Sequence, residues 1–334
     1  MKVLTTLTVM VAAAKAEPIH LVNYGYSHLA AEQKARLWSR RFALPDQSTL
    51  VKATKEGLVK GVEVKKLYVT DDDDAYQEAR FKWKEFKGGT SDMSKLHPFH
   101  TLYTDEVSGF GCETINKAKS AFVTICAATN YVFVDLVQKR SQYPDVIVSQ
   151  IKTVGKKGAE QDKAWQIHRL RSDSAKEIQR GRAADVMEIY GIDPEPVAAT
   201  TSAPGGKHES AIQRVVHRAR AMLILAPWIP FACWGLALNY AAHIINVTPG
   251  TLHGEYKTPH ERVTGNKPDA NRTATLVRVF GARVTYGATK QQRATQTKKK
   301  LSALTQTMHF VGVQGNQILP MMGYVLSMTT KWRV

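Results

Sequence analysis

The sequence predicts an α/β protein, in which a mixed layer of strands flanked by helices is preceded by a small helical module and followed by a small β-barrel-like unit. Three observations carry this reading. Strand-like runs at Leu102–Thr104, Ala121–Cys126 and Tyr131–Val137 are rich in β-branched and aromatic residues. Helical spacing follows at Tyr143–Val154, where Ile147, Val148, Ile151 and Val154 recur on one side, and strands alternating with helices point to a mixed layer. The third observation is acidic: Asp105 ends one strand-like run, Asp173 follows another at Ile167–Leu170, and Glu209 opens a helix, with 35 residues between the last two. Three carboxylates so held can share divalent metal ions, because hard oxygen donors suit Mg²⁺ or Mn²⁺.

The 334 residues, 43% hydrophobic, suffice for at least one sizeable core. Lys and Arg number 46 against 29 Asp and Glu, a net charge of +17 with pI near 9.7, which favours polyanionic partners such as nucleic acid or an anionic membrane surface. Cys112, Cys126 and Cys233 are too few for a disulfide scaffold and fit a reducing compartment, so the nucleus or cytoplasm is expected.

Residues 1–30 read as a leader; Val3–Ala14 and the Ala14-Lys15-Ala16 site have a weak secretory layout, which keeps secretion open. Residues 31–90 read as a helical module, with Leu37-Trp38, Phe42, Leu50-Val51 and Leu58-Val59 apolar around a Pro45-Asp46 turn. Asp71–Asp74 is a solvated loop, and Tyr76–Lys87 a charged helix with one aromatic face. Residues 91–250 form the α/β core. Within it, Pro194–Lys207 is a Pro/Gly-rich loop leading to Glu209, and His208 is an exposed loop residue.

The helix Glu209–Leu225 buries Ile212, Val215, Val216, Ala219, Met222 and Leu223. The uncharged stretch Ala221–Ala242 is long enough to cross a bilayer, but Pro227 and Pro230 split it into two packed helices, so no membrane span is expected. Residues 251–272 read as a linker. In residues 273–334, short strands at Thr275–Phe280, Arg283–Tyr286, His309–Val313 and Gly323–Met328 make the β-rich unit, and Lys290–Lys300 is a basic loop.

In order along the chain, Leu37-Trp38-Ser39-Arg40-Arg41-Phe42, Lys55–Gly61, Tyr103-Thr104-Asp105, Leu170-Arg171-Ser172-Asp173, Ala219–Leu223 and Val279–Arg283 resemble the integrase of copia-type retrotransposon polyproteins. The resemblance spans Leu37 to Met328. It implies an RNase H-like catalytic core with Asp105, Asp173 and Glu209 as a metal-holding catalytic triad for two Mg²⁺ (or Mn²⁺) ions. The implied chemistry is 3′-end processing and strand transfer on DNA, with self-association into a homo-oligomer. Arg169, Arg171, Lys176, Arg214, Arg218, Lys298, Lys299 and Lys300 would supply phosphate contacts.

The chain departs from the family pattern at several points, as a truncated or degenerate polyprotein copy would. Ser39 and Leu44 stand where the module's zinc-binding histidines belong, Asp73 and Tyr76 where its cysteines do, so no zinc is expected. Ala127 and Ala128 replace an acidic pair, Pro204-Gly205-Gly206 replaces a Gln-Asn-Gly, and Ser210 and Ala211 replace a basic pair that would meet DNA. Two other classes stay open on the sequence: a catalytically silent DNA-binding remnant, and a secreted or membrane-associated protein.

Overall fold

The computed structural model describes residues 31–43, 47–56, 95–172, 181–196, 206–268, 277–287, 305–313 and 323–327. Two short helices, α1 (Ala31–Arg41) and α2 (Gln47–Lys55), come first. The α/β core follows: β1 (Thr101–Val107), β2 (Ser120–Cys126), β3 (Val132–Val137), α3 (Tyr143–Ala159), β4 (Arg169–Ser172), α4 (Gly181–Tyr190), β5 (Asp193–Pro196), α5 (Gly206–Leu225) and α6 (Trp234–Val247). A hairpin of β6 (Gly250–Leu252) and β7 (Glu255–Lys257) leads into α7 (Pro259–Thr264), and then come β8 (Arg283–Gly287), β9 (Thr305–Val313) and β10 (Gly323–Ser327). The leader, the Asp71–Asp74 run, Tyr76–Lys87 and the Lys290–Lys300 loop lie outside the described residues.

The core sheet runs β3-β2-β1-β4-β5. Strands β1, β2 and β3 form an antiparallel meander, and β4 and β5 add parallel to β1. With helices on its faces, this is the RNase H-like mixed sheet. Every residue of β2 is buried, as a strand covered on both faces must be.

One face packs on α3, whose start suits its sequence: Pro144 sits in the first turn with Asp145, and Lys156 and Lys157 lie in the last. Val146, Ile147 and Val154 of α3 join Leu102, Phe122, Phe133 and Val137 of the sheet. The other face carries Ala121, Val123, Ile125, Val132 and Val134, covered by Val215, Ala219 and Met222 of α5 and Ala237, Leu238 and Ala241 of α6.

That second cluster also takes in Trp38 of α1 and Phe42 in the turn just after it, and Val277, Phe280, Phe310 and Val311 near the C-terminus. The helical module, the core and the C-terminal strands therefore share one apolar interior. The contact is tight at Gly281, which adopts a left-handed φ of +76°, and a Cβ there would collide with the Cβ of Ala226.

The Ala221–Ala242 stretch divides as its prolines predict: α5 ends at Leu225, residues 226–230 turn, and α6 starts at Trp234. Among the described residues no helix is long and apolar enough to cross a membrane.

In three places the structure departs from the sequence pattern. The Pro194–Lys207 loop begins with strand β5, at the sheet edge, where Pro194 and Pro196 are tolerated because an edge strand can leave its missing donors toward solvent. The stretch 251–268 is folded rather than a bare linker: the Arg262 guanidinium donates to the carbonyls of Lys257, Gly250 and Glu255 and staples the hairpin to α7. Residues 277–280 are not a strand, because the Tyr240 hydroxyl occupies both backbone groups of Arg278, at 2.7 Å each. The C-terminal strands form an antiparallel sheet, β10-β9-β8, and closure into a barrel is not seen among the described residues.

A polar chain crosses the α3 face. Gln150 Nε2 donates to Asp135 Oδ2 (2.8 Å) and to Thr124 Oγ1 (3.0 Å), which in turn donates to Thr104 Oγ1 (3.0 Å). Burial pushes the Asp135 carboxyl up to about 6, and the Gln150 bond only partly opposes this. A carboxyl raised above its unfolded value of about 3.9 costs stability as pH climbs from about 4 through 6. Asp135→Asn should therefore be more stable than wild type by about 2 kcal/mol at pH 8, with the gap closing below pH 4; urea melts at both pH values check it. Gly281→Ala should cost at least about 2 kcal/mol in the same assay, from the left-handed φ together with the clash.

Candidate metal and nucleic-acid site

Side chains alternate along β1, so Tyr103, Asp105 and Val107 share one face and Leu102, Thr104 and Glu106 the other. Across the antiparallel pair, Tyr103 opposes Ile125, Asp105 opposes Val123 and Val107 opposes Ala121. Those three partners belong to the cluster beneath α5 and α6, and directly opposed residues project to the same face. Asp105 is therefore on the α5 side of the sheet. Its half-buried carboxylate accepts the Glu106 amide at 2.8 Å through Oδ1, while Glu106 itself pairs with Arg140 at 2.8 Å.

The strand beside it is β4, with Tyr103 opposite Arg171 and Thr104 opposite Ser172. The residue before Asp173 is thus paired with the residue before Asp105. Asp173 itself lies outside the described residues, as do Lys176 and Lys298–Lys300.

Glu209 is the fourth residue of α5, in the first turn, where unsatisfied amides and the helix dipole favour a carboxylate. The helix starts three residues earlier than expected, so His208 is helical rather than in a loop. Ala211, Ile212, Val215 and Ala219 hold α5 against the Asp105 face. The loop after β1 is pinned from the same side: Phe110 stacks on Trp234 at 3.7 Å, and Trp234 Nε1 donates to the Cys112 carbonyl at 3.0 Å.

The expected phosphate contacts divide. Arg171 donates through Nε to Glu195 Oε2 and through Nη1 to Tyr103 Oη at 2.6 Å, and Arg169 pairs with Glu195 at 3.6 Å. Burial raises the Tyr103 phenol, and the Arg171 charge and hydrogen bond oppose the rise. These two arginines are thus engaged in cross-strand pairing. Arg214 on α5 is exposed, and the half-buried Arg218 reaches Thr248 Oγ1 at 3.4 Å.

Two departures gain a physical meaning. Ala211 is 4% exposed and faces the apolar cluster, so that position does not meet DNA as the sequence comparison suggested. Ala127 is buried, in the turn between β2 and β3, where a carboxylate would lack solvent. In the N-terminal module Ser39 sits on α1, and Leu44, Asp73 and Tyr76 lie outside the described residues.

Sequence reading passed over His97, His100 and His168, which the fold gathers at the other end of β1. Their signal was the His-x-x-His spacing just ahead of a strand.

Because Arg171 links β1 to β5, Arg171→Met should lower stability by about 1–2 kcal/mol in urea melts at pH 7. An unchanged midpoint would show that the bridge contributes nothing.

No family profile and no curated protein matches the chain. Among solved structures, the HTLV-2 integrase catalytic core domain in complex with magnesium, in its trimeric form, is 15% identical with a TM-score of 0.37, covering 50% of this chain and 97% of that one. The catalytic core domain of BIV integrase is 17% identical with a TM-score of 0.37, covering 53% and 99%. The strand order β3-β2-β1-β4-β5, with β4 and β5 parallel to β1, is what makes the sheet RNase H-like.

Proposed function

We propose that this chain is an integrase-like, nucleic-acid-handling protein of copia-type retrotransposon descent. In this reading it binds DNA, holds divalent metal ions and carries out 3′-end processing and strand transfer. The observation that carries it is the position of Asp105: a half-buried carboxylate on the sheet face covered by α5, the helix whose first turn bears Glu209.

Asp105, Asp173 and Glu209 would hold the ions. The fit is chemical: all three are carboxylates, and the one whose surroundings are described offers oxygen donors on a partly open face. Bound there, Mg²⁺ or Mn²⁺ would activate the attacking oxygen and stabilise the leaving oxygen of an in-line displacement at phosphorus. The chain's own task is positioning. The buried faces of β2 and α5 fix the carboxylates' supports, and the net charge of +17 supplies a sequence-tolerant attraction for phosphates. Self-association into a homo-oligomer would suit the exposed Ile189, Tyr190, Trp228 and Phe231.

A second reading, a catalytically silent DNA-binding remnant, is favoured by the engagement of Arg169 and Arg171 with Glu195, which withdraws two cations from a DNA surface.

Asp105→Asn separates the two. With Mg²⁺ or Mn²⁺ and a DNA-end substrate, strand transfer should fall at least about 100-fold, since loss of a ligand should exceed the effect of losing an outer-shell partner; calorimetry should show weaker Mn²⁺ binding in the same variant. Metal-independent DNA retention, with no turnover by either protein, would leave the silent reading. Arg214→Ala should reduce the slope of log affinity against log salt by about one in filter binding.

A further inference from the structure

At the end of the sheet where β1 and β4 begin, away from the carboxylate face, three imidazoles converge. Thr101 of β1 pairs with Arg169 of β4, so the residues just before them, His100 and His168, enter the sheet side by side. The His100 carbonyl accepts the amides of both His168 (2.9 Å) and Arg169 (3.0 Å). A turn closed by the His100 amide on the His97 carbonyl, at 3.2 Å, folds His97 back over the pair.

The rings lie 5.1 Å (His97–His100), 5.4 Å (His97–His168) and 4.7 Å (His100–His168) apart between centroids. One ring nitrogen from each lies within 4.8 Å of those of the other two. Phe99, fully buried against Tyr131, Phe133 and Trp165, anchors the segment between His97 and His100.

We propose that His97, His100 and His168 bind a divalent transition-metal ion of the zinc type, which clamps the entry of β1 to the entry of β4. The ring orientation supports this. His97 Nδ1 lies 2.9 Å from the Pro98 carbonyl, an acceptor only, so Nδ1 carries the proton and Nε2 keeps its lone pair. His100 Nδ1 is likewise engaged, at 3.0 Å from Thr101 Oγ1. A carbonyl or hydroxyl on the far ring nitrogen is the usual support of a metal-binding histidine.

Bonds of about 2.0–2.1 Å to zinc set tetrahedral nitrogens roughly 3.3 Å apart, so the rings need close by only about 1.5 Å. An all-imidazole set selects zinc, copper or nickel over magnesium. His168 is exposed, which leaves an open side for water as a fourth ligand. The site is separate from Asp105: five residues of strand at about 3.3 Å each put them roughly 16 Å apart.

The test uses the full chain stripped of metal and titrated with Zn²⁺ by calorimetry and with Co²⁺ by visible absorption. One ion per chain is expected, with tetrahedral cobalt bands, no competition from Mg²⁺, and a Tm rise on the order of 5 °C at about 100-fold excess over Kd. His168→Ala, at an exposed position that folding does not require, should weaken binding more than 100-fold, and His100→Ala likewise. His253→Ala, at an exposed histidine elsewhere, should bind as wild type does. A His168→Ala protein that binds within threefold of wild type, or a stoichiometry well below one, would overturn the proposal.

Discussion

The packing of Ala121, Val123 and Ile125 against α5 and α6 is the constraint on which the rest of the molecule depends. It decides which way β1 faces: opposite Val123, Asp105 has no choice but the α5 side. It also seats the helix that begins with the Glu209 turn, and it receives Trp38 and Phe42 from one end of the chain and Phe310 and Val311 from the other. A sheet register slipped by one residue would send Asp105 into the α3 cluster, where its charge would be buried. The positions of two of the three carboxylate-bearing elements are therefore by-products of apolar packing.

The same cluster also seats the short helices at the start of the described residues. Trp38 and Phe42 rest in an interior built by other elements, and Arg41 lies over the Trp38 ring at 4.5 Å. On the far side, Asn246 plays a related part. Its amide bonds both the amide and the carbonyl of Val132, at 2.8 and 2.9 Å, tying α6 to the start of β3.

Much of this was legible in the sequence because its signals were local. The β2–β3 hairpin, α3 and the proline break between α5 and α6 follow from periodicity and from Pro227 and Pro230, and the carboxylates stood out by their flanking residues. What escaped depended on partners distant in sequence. Strand β5 carries two prolines and is a strand only because β4 lies beside it; residues 277–280 lose their strand character to a tyrosine hydroxyl 38 positions away. Arg169 and Arg171 read as free cations until Glu195 arrives on the neighbouring strand, and the three histidines are joined by a parallel pairing that no short window contains. Ala211 read as a lost DNA contact because helix phase, not residue type, decides which way a position faces.

We propose that the packed β1–α5 face gathers Asp105, Asp173 and Glu209 around divalent ions. The most direct measurement is anomalous diffraction from crystals of the protein grown with Mn²⁺. Anomalous peaks bridged by Asp105, with Asp173 and Glu209 as further ligands, are expected. Saturating Mn²⁺ with no peak at Asp105, and the three carboxylates turned apart, would contradict it.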